Sequence, residues 1–407
     1  MKRNRKLFTL LRRAGIVALG VTSVSCGSDR AVVPEPTSQV MPVLGKGEVN
    51  ERYTAEIWVR GNVAYTTTWG NRNAPGNAIK IWDVTNNVPT LVDSVIVPTA
   101  STLGDIQASD DGQLLIVATE FSGGSIMIYS LADPLKPQLI TRYTTPFTSP
   151  GVHTAEVQRV NGKLYAFLCV DPNSANAARL VIVDLSDPAA PNQVFTATMG
   201  SPFVHDVFVR DGILFTALWN GGVEIWDIGG AGSGGSVDAP VPLGSVVTVG
   251  GEAHNIWWFH NAQNGDKRYA FVGQEGPGAV GVASSGDIHV LDVSNFAAPR
   301  EVAFYHLQGA GTHNFSVDEV RGILYAAYYN GGVRALDVTG DLSSCDPAAK
   351  SADGRCDLGK MGRDLAHGLT GVGPVYVWGV QYIGGSVYAS DMLNGIWKLN
   401  PTEFPPD

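Results

Sequence analysis

Leu180-Val181-Ile182-Val183-Asp184 is the stretch that decides the fold, because the chain repeats it in paraphrase six more times. The other copies are Ile79-Lys80-Ile81-Trp82-Asp83, Ile126-Met127-Ile128-Tyr129-Ser130, Val223-Glu224-Ile225-Trp226-Asp227, Ile288-His289-Val290-Leu291-Asp292, Val333-Arg334-Ala335-Leu336-Asp337 and Ile396-Trp397-Lys398-Leu399-Asn400. Each is a β-branched, alternating run that closes on a polar turn former, which reads as a strand with its stop signal. The copies start 43 to 65 residues apart. Repeats of that period indicate a propeller or a solenoid.

Working outward, each copy is the third strand of a larger unit. Val207 to Arg210 is a strand, Asp211-Gly212 a turn, Ile213 to Trp219 a second strand, and Asn220-Gly221-Gly222 a hairpin into Val223 to Asp227. Arg321-Gly322, Ile323 to Tyr329, Asn330-Gly331-Gly332 and Val333 to Asp337 repeat the pattern. Asn-Gly between alternating runs predicts a type I′ turn, with positive φ at both central residues. A proline-marked turn follows the third strand, as in Ser186-Asp187-Pro188-Ala189-Ala190-Pro191, and the closing Asp of the phrase is expected to cap it. A fourth strand comes next, for example Gln193 to Met199 or Glu301 to Leu307. Seven units of four antiparallel strands predict an all-β fold, a seven-bladed β-propeller. The last unit stops after three strands, so Gln39 to Leu44 is expected to complete it and close the ring.

The phrase resembles the repeat after which LVIVD-repeat proteins are named, and the likeness spans nearly all of residues 38–404. The resemblance implies an exported or surface propeller with no single shared activity, so it supplies no catalytic residues. The unit length resembles, more loosely, lactonase-like propellers and WD-repeat proteins.

The chain begins with Lys2, Arg3, Arg5, Lys6, Arg12 and Arg13 ahead of the apolar run Ala14 to Val24, the pattern of a signal peptide over residues 1–25. Ser23-Val24-Ser25-Cys26 resembles the lipobox of bacterial lipoproteins, which implies that Cys26 is lipidated; ordinary cleavage nearby is the alternative. Residues 26–37 then form the lipidated cysteine and a flexible tether, and residues 38–404 the propeller. The expected location is the cell envelope, with membrane attachment through the lipid alone. Gly27, in place of the aspartate linked to inner-membrane retention, favours the outer membrane or a periplasm-facing site. Removing residues 1–25 takes away six positive charges and moves the formal net charge from −10 to −16. A body that acidic, with no basic patch, excludes nucleic acid as a partner. Cys345 and Cys356 are expected to form a local disulfide, and Cys169 to be a buried free thiol.

In a propeller the first strand of each blade lines the central channel, so the residues that begin it crowd around one axis. Counting back from the turn glycines aligns Glu56, Glu156, Asp206 and Gly379, and Asp105, Asn255 and Asn314 join them with one or two residues of slack. His205, His254, His313 and Trp378 precede four of these, and His153 lies close by. One reading is a divalent cation held in the channel by Glu56, Asp105, Glu156, Asp206, Asn255 and Asn314. The other is structural, with these groups capping strand starts and binding channel waters. Trp69, Trp219 and Tyr329 sit in or beside the hairpins on the same face, where with Trp378 and the four histidines they could line a ligand surface. The expected function is a binding or scaffold module for a protein, peptide or glycan, acting through the channel mouth. The alternative is a lactonase-like or metal-dependent hydrolase built on the histidines and carboxylates.

Overall fold

Strand follows strand through residues 38–401, the part of the chain that the structure, a computed structural model, describes. The expected signal peptide, Cys26 and the expected tether lie outside these residues. Seven four-stranded antiparallel sheets form seven blades. Their first strands are Tyr53–Arg60, Leu103–Ala108, Val152–Val160, Asp206–Arg210, Ala253–Trp258, Phe315–Asp318 and Val377–Ile383, for blades one to seven in order. The repeated phrase is the third strand throughout, for example Arg179–Asp184, Val223–Asp227 and Val333–Asp337. Apolar side chains from both faces of the middle strands fill the spaces between neighbouring blades. Ile116, Ala118, Ile126 and Ile128 of blade two, for instance, meet Leu164, Ala166, Val181 and Val183 of blade three. Such strands are buried on both faces, which explains their near-continuous apolar runs.

The phrase ends where its aspartate turns back to the chain. Asp83 accepts the Thr85 N–H, Asp184 that of Ser186, Asp292 that of Ser294 and Asp337 that of Thr339. Asp227 goes further and accepts backbone N–H groups from Gly229, Gly230, Ala231, Ser233 and Gly235.

The ring closes as expected, with a shifted boundary. Val43–Glu48 pairs antiparallel with Gly395–Leu399 and completes blade seven. Gln39–Val40 instead lies parallel to Asp364–Gly368, the fourth strand of blade six. The chain thus crosses from one blade to the next between these two short strands, tying its two ends together at two seams. Gly47 permits the close fit, since a Cβ there would lie 2.5 Å from the Trp82 ring. Between the third and fourth strands of blade six an insertion reaches back to blade five. The Cys345–Cys356 disulfide sits in it, and Cys356–Asp357 pairs with Arg300–Tyr305. Cys169 is buried and free.

The hairpins differ from the sequence expectation. Positive φ falls on Trp219 (55°) and Gly222 (75°), and on Tyr329 (41°) and Gly332 (77°), rather than on the Asn-Gly pairs between them. Left-handed backbone on an aromatic residue is strained. It is held here from the next blade: Trp219 exchanges two backbone hydrogen bonds with Ala253, and Tyr329 two with Val377.

Candidate functional site

Side chains alternate along a strand, so every second residue of a first strand faces the channel. The first of these positions carries the ring read from the repeat. Glu56, Asp105, Glu156, Asp206, Asn255 and Asn314 all line one central cavity of about 530 Å³. Blade seven contributes Gly379, where a Cβ would come within 2.9 Å of Ile57 and 3.2 Å of Glu56 Oε2. Part of the ring serves the backbone: Asp105 accepts the N–H groups of Ile106 and Ala155, and Asp206 that of Val207. Asn255 accepts from Gly273. Glu56 Oε1 instead receives Asn314 Nδ2 and Trp378 Nε1, each at 2.7 Å.

The six ring positions include no cationic side chain. The channel walls shield the acids from water, and shielding raises each of them; mutual repulsion adds to it. Glu56 is pushed up to about 8, by burial first and by Asp105 next. Burial also raises Asp105, and it carries Glu156 and Asp206 well above the ordinary carboxylate range.

Two residues further along the same strands, a second tier faces the cavity: Trp58, Gln107, Gln158, Phe208, Trp257 and Gln381. The glutamines staple neighbouring blades. Gln107 bonds both the N–H and the carbonyl of Val157, and Gln381 does the same to Val59. Beyond lies an Arg210–Glu319 fork, two parallel contacts at 2.5 and 2.7 Å, with Trp257 Nε1 also donating to Glu319. The cavity therefore runs from the acid ring toward the turns between first and second strands, the end opposite the hairpins.

On the hairpin side of the ring a second layer closes on itself. His153, His205, His254 and His313 follow one another with ring centroids 4.3, 4.3 and 4.2 Å apart. Trp378 comes 4.4 Å after His313, and Trp69 5.8 Å after Trp378. Trp69 Nε1 donates to Glu120 Oε2, and Glu120 Oε1 lies 3.5 Å from His153 Nδ1, which completes the circle through all seven blades. A pocket of only about 50 Å³ separates this layer from the acid ring.

Two groups within the layer have the donor types and spacing to hold a metal ion: His205, His254 and Glu275, and Glu120, His153 and Asp171. They differ in charge. Burial alone would lower His153, but Glu120 and Asp171 raise it to about 10, so it is an imidazolium balanced by two carboxylates. Burial holds His254 down to about 3 and keeps His205 and His313 well below the ordinary histidine range. Those three are neutral.

Of the aromatics expected at a ligand surface, Trp219 stacks on His205 at 5.2 Å and Trp69 leans on Trp378. Tyr329 is fully buried and donates its hydroxyl to Glu275, so it forms part of the layer rather than of a surface. Sequence reasoning missed Glu120, Asp171 and Glu275 as members of the layer. They come from hairpins of unequal length, where the repeat sets no register. It also passed over Trp58, Phe208 and Trp257, although period-two counting from Glu56, Asp206 and Asn255 reaches them.

Fold and channel together define a seven-bladed β-propeller with a polar, two-layered axis. Residues 173–198, which hold the third and fourth strands of blade three, match the LVIVD repeat model. Solved structures share the architecture. Sqt1 of Saccharomyces cerevisiae is 9% identical with a TM-score of 0.53, over 89% of this chain and 86% of that one. The computationally designed Ika8 protein is 10% identical with a TM-score of 0.51, over 88% of this chain and 99% of its own. At these identities the likeness is one of fold. No curated protein matches.

Proposed function

We propose that the protein is a binding propeller of the cell envelope, tethered through Cys26, whose channel takes a cation-bearing organic group: a small amine or the basic side chain of a peptide. The observation that carries this reading is the pairing, in one cavity, of an acid ring and aromatic walls. Crowded, shielded carboxylates gain most from an incoming positive charge. The half-buried faces of Trp58, Phe208 and Trp257 suit an ammonium group, which aromatic rings attract at roughly 0.5–2 kcal/mol each. A volume of about 530 Å³ admits a small molecule or a single side chain, not a folded partner.

Titration calorimetry with spermidine, lysine and tetramethylammonium, against glucose and cellobiose as neutral controls, tests the reading. Saturable amine binding is expected, weakened at least fivefold in the double variant Glu56→Gln, Glu156→Gln. Binding of the sugars alone would replace the amine with a glycan. Anchoring is tested by fractionation, where Cys26→Ser should move the protein from the membrane to the soluble fraction.

A further inference from the structure

Two buried imidazoles and one carboxylate, those of His205, His254 and Glu275, bring their ligand atoms within 4.8 Å of one another in the histidine layer, and His313 stands beside them. His205 Nε2 lies 3.5 Å and His254 Nε2 3.7 Å from Glu275 Oε2, and His313 Nε2 lies 3.9 Å from Glu275 Oε1. These separations are too long for good hydrogen bonds. They approach the edge of a coordination tetrahedron, in which donors about 2.1 Å from an ion stand about 3.4 Å apart. We propose that His205, His254 and Glu275 bind one divalent transition-metal ion of the zinc class, with His313 standing beside them.

Several independent observations favour this. It is the Nε2 atoms of these histidines that turn toward the Glu275 carboxylate, the ring nitrogens best placed to ligate together with it. Tyr329 donates its hydroxyl to Glu275, the kind of supporting bond that orients a ligating carboxylate. His205 and His254 stand at the first-strand starts of blades four and five and Glu275 at a hairpin root, so the site sits on rigid elements. Imidazole with a single carboxylate selects a borderline ion over Ca²⁺ or Mg²⁺, which prefer all-oxygen sets.

The neighbouring Glu120, His153 and Asp171 group differs in offering a single imidazole, whose Nδ1 lies 3.5 Å from Glu120 Oε1 and 3.8 Å from Asp171 Oδ2. The inference stands apart from amine binding in the cavity below: either can fail with the other intact.

The test uses the full chain, stripped with a chelator and titrated with Zn²⁺ and Co²⁺. One equivalent should bind, with Co²⁺ developing the visible absorption of a four- or five-coordinate site and excess Ca²⁺ failing to displace it. His254→Ala and Glu275→Gln should each weaken binding at least tenfold, and Asp171→Asn should change it less than twofold. If circular dichroism shows His254→Ala unfolded, Glu275→Gln decides, since it keeps the shape of the side chain. The proposal is overturned if the folded wild-type chain binds neither ion saturably, or if Glu275→Gln binds as the wild type does. Loss of binding in Asp171→Asn with Glu275→Gln unaffected would place the ion in the neighbouring group and overturn it equally.

Discussion

At the hairpin end of the channel Tyr329 and Tyr376 are fully buried, their tilted rings 4.3 Å apart beneath the long hairpin 275–287. At the turn end Trp58, Phe208 and Trp257 remain half-buried around an open cavity. Both ends belong to the same seven repeated blades, so the repeat itself cannot make the difference. The connections do. Most first-to-second-strand turns are short, as at Gly61, Gly162, Gly212 and Gly322, all with positive φ, and blade five alone uses ten residues there, 259–268. Second-to-third-strand hairpins vary, and the longest folds back across the axis. Its Gly278 N–H reaches Tyr376 Oη at 3.0 Å, and Val280 and Leu393 pack around the same tyrosines. A propeller can thus close one mouth and open the other by lengthening a single hairpin.

The largest effect is expected from breaking the plug. Tyr376→Ala removes a buried ring and the hydroxyl that holds Gly278, and large aromatic-to-alanine changes in cores cost about 3–5 kcal/mol. Urea unfolding should show that loss, and proteases should then cut within residues 276–285 while the blades stay intact. An unchanged cleavage pattern would mean the hairpin is held by contacts other than Tyr376.

The two ends also differ in how far the sequence reveals them. The acid ring is largely legible in the chain order, because the turn glycines place Glu56, Glu156 and Asp206 at one register position of the repeat and bring Asp105, Asn255 and Asn314 near it with some slack. The closure is legible too, though Gln39–Val40 goes to blade six because the strand that pairs with Gly395–Leu399 begins only at Val43. The histidine layer is half legible. Its histidines adjoin the register, but Glu275 sits in an insertion and meets them only through the path that insertion takes in space. Charge compensation is likewise a property of the folded site. Nothing in the chain order says that His153 finds two carboxylates while His205, His254 and His313 share one.

A middle-sized effect separates the acid ring from the compensated His153 group. Glu56 faces Asp105, Asp206, Asn314 and Trp378 and is raised to about 8 from 4.5. A carboxyl with a raised folded value holds its proton more tightly in the folded chain, so it draws stability down as pH climbs from about 4.5 to about 8, and no further above that. Glu56→Gln keeps an oxygen for Asn314 and Trp378 but cannot ionise. It should therefore be more stable than the wild type at pH 8 by roughly 2 kcal/mol, below the full linkage value because neighbouring acids share the protons. At pH 4 the two should unfold alike. A variant less stable at pH 8 would show that the ionised form is favoured, as a resident cation in the ring would make it.

The smallest effect on stability belongs at the open mouth. Trp58 is half-buried and rests on the cluster between blades one and two without closing it. Trp58→Leu keeps the apolar contact below and removes the exposed face, so the unfolding midpoint should shift by about 1 kcal/mol or less in free energy. Amine binding should fall by roughly threefold to tenfold, the share of one ring in a cation–π contact. Together the two readings sharpen the contrast between the ends, because the same kind of residue would support the fold at the hairpins and the ligand at the turns. A large loss of stability with unchanged binding would reverse that assignment and make Trp58 a structural residue like Tyr376.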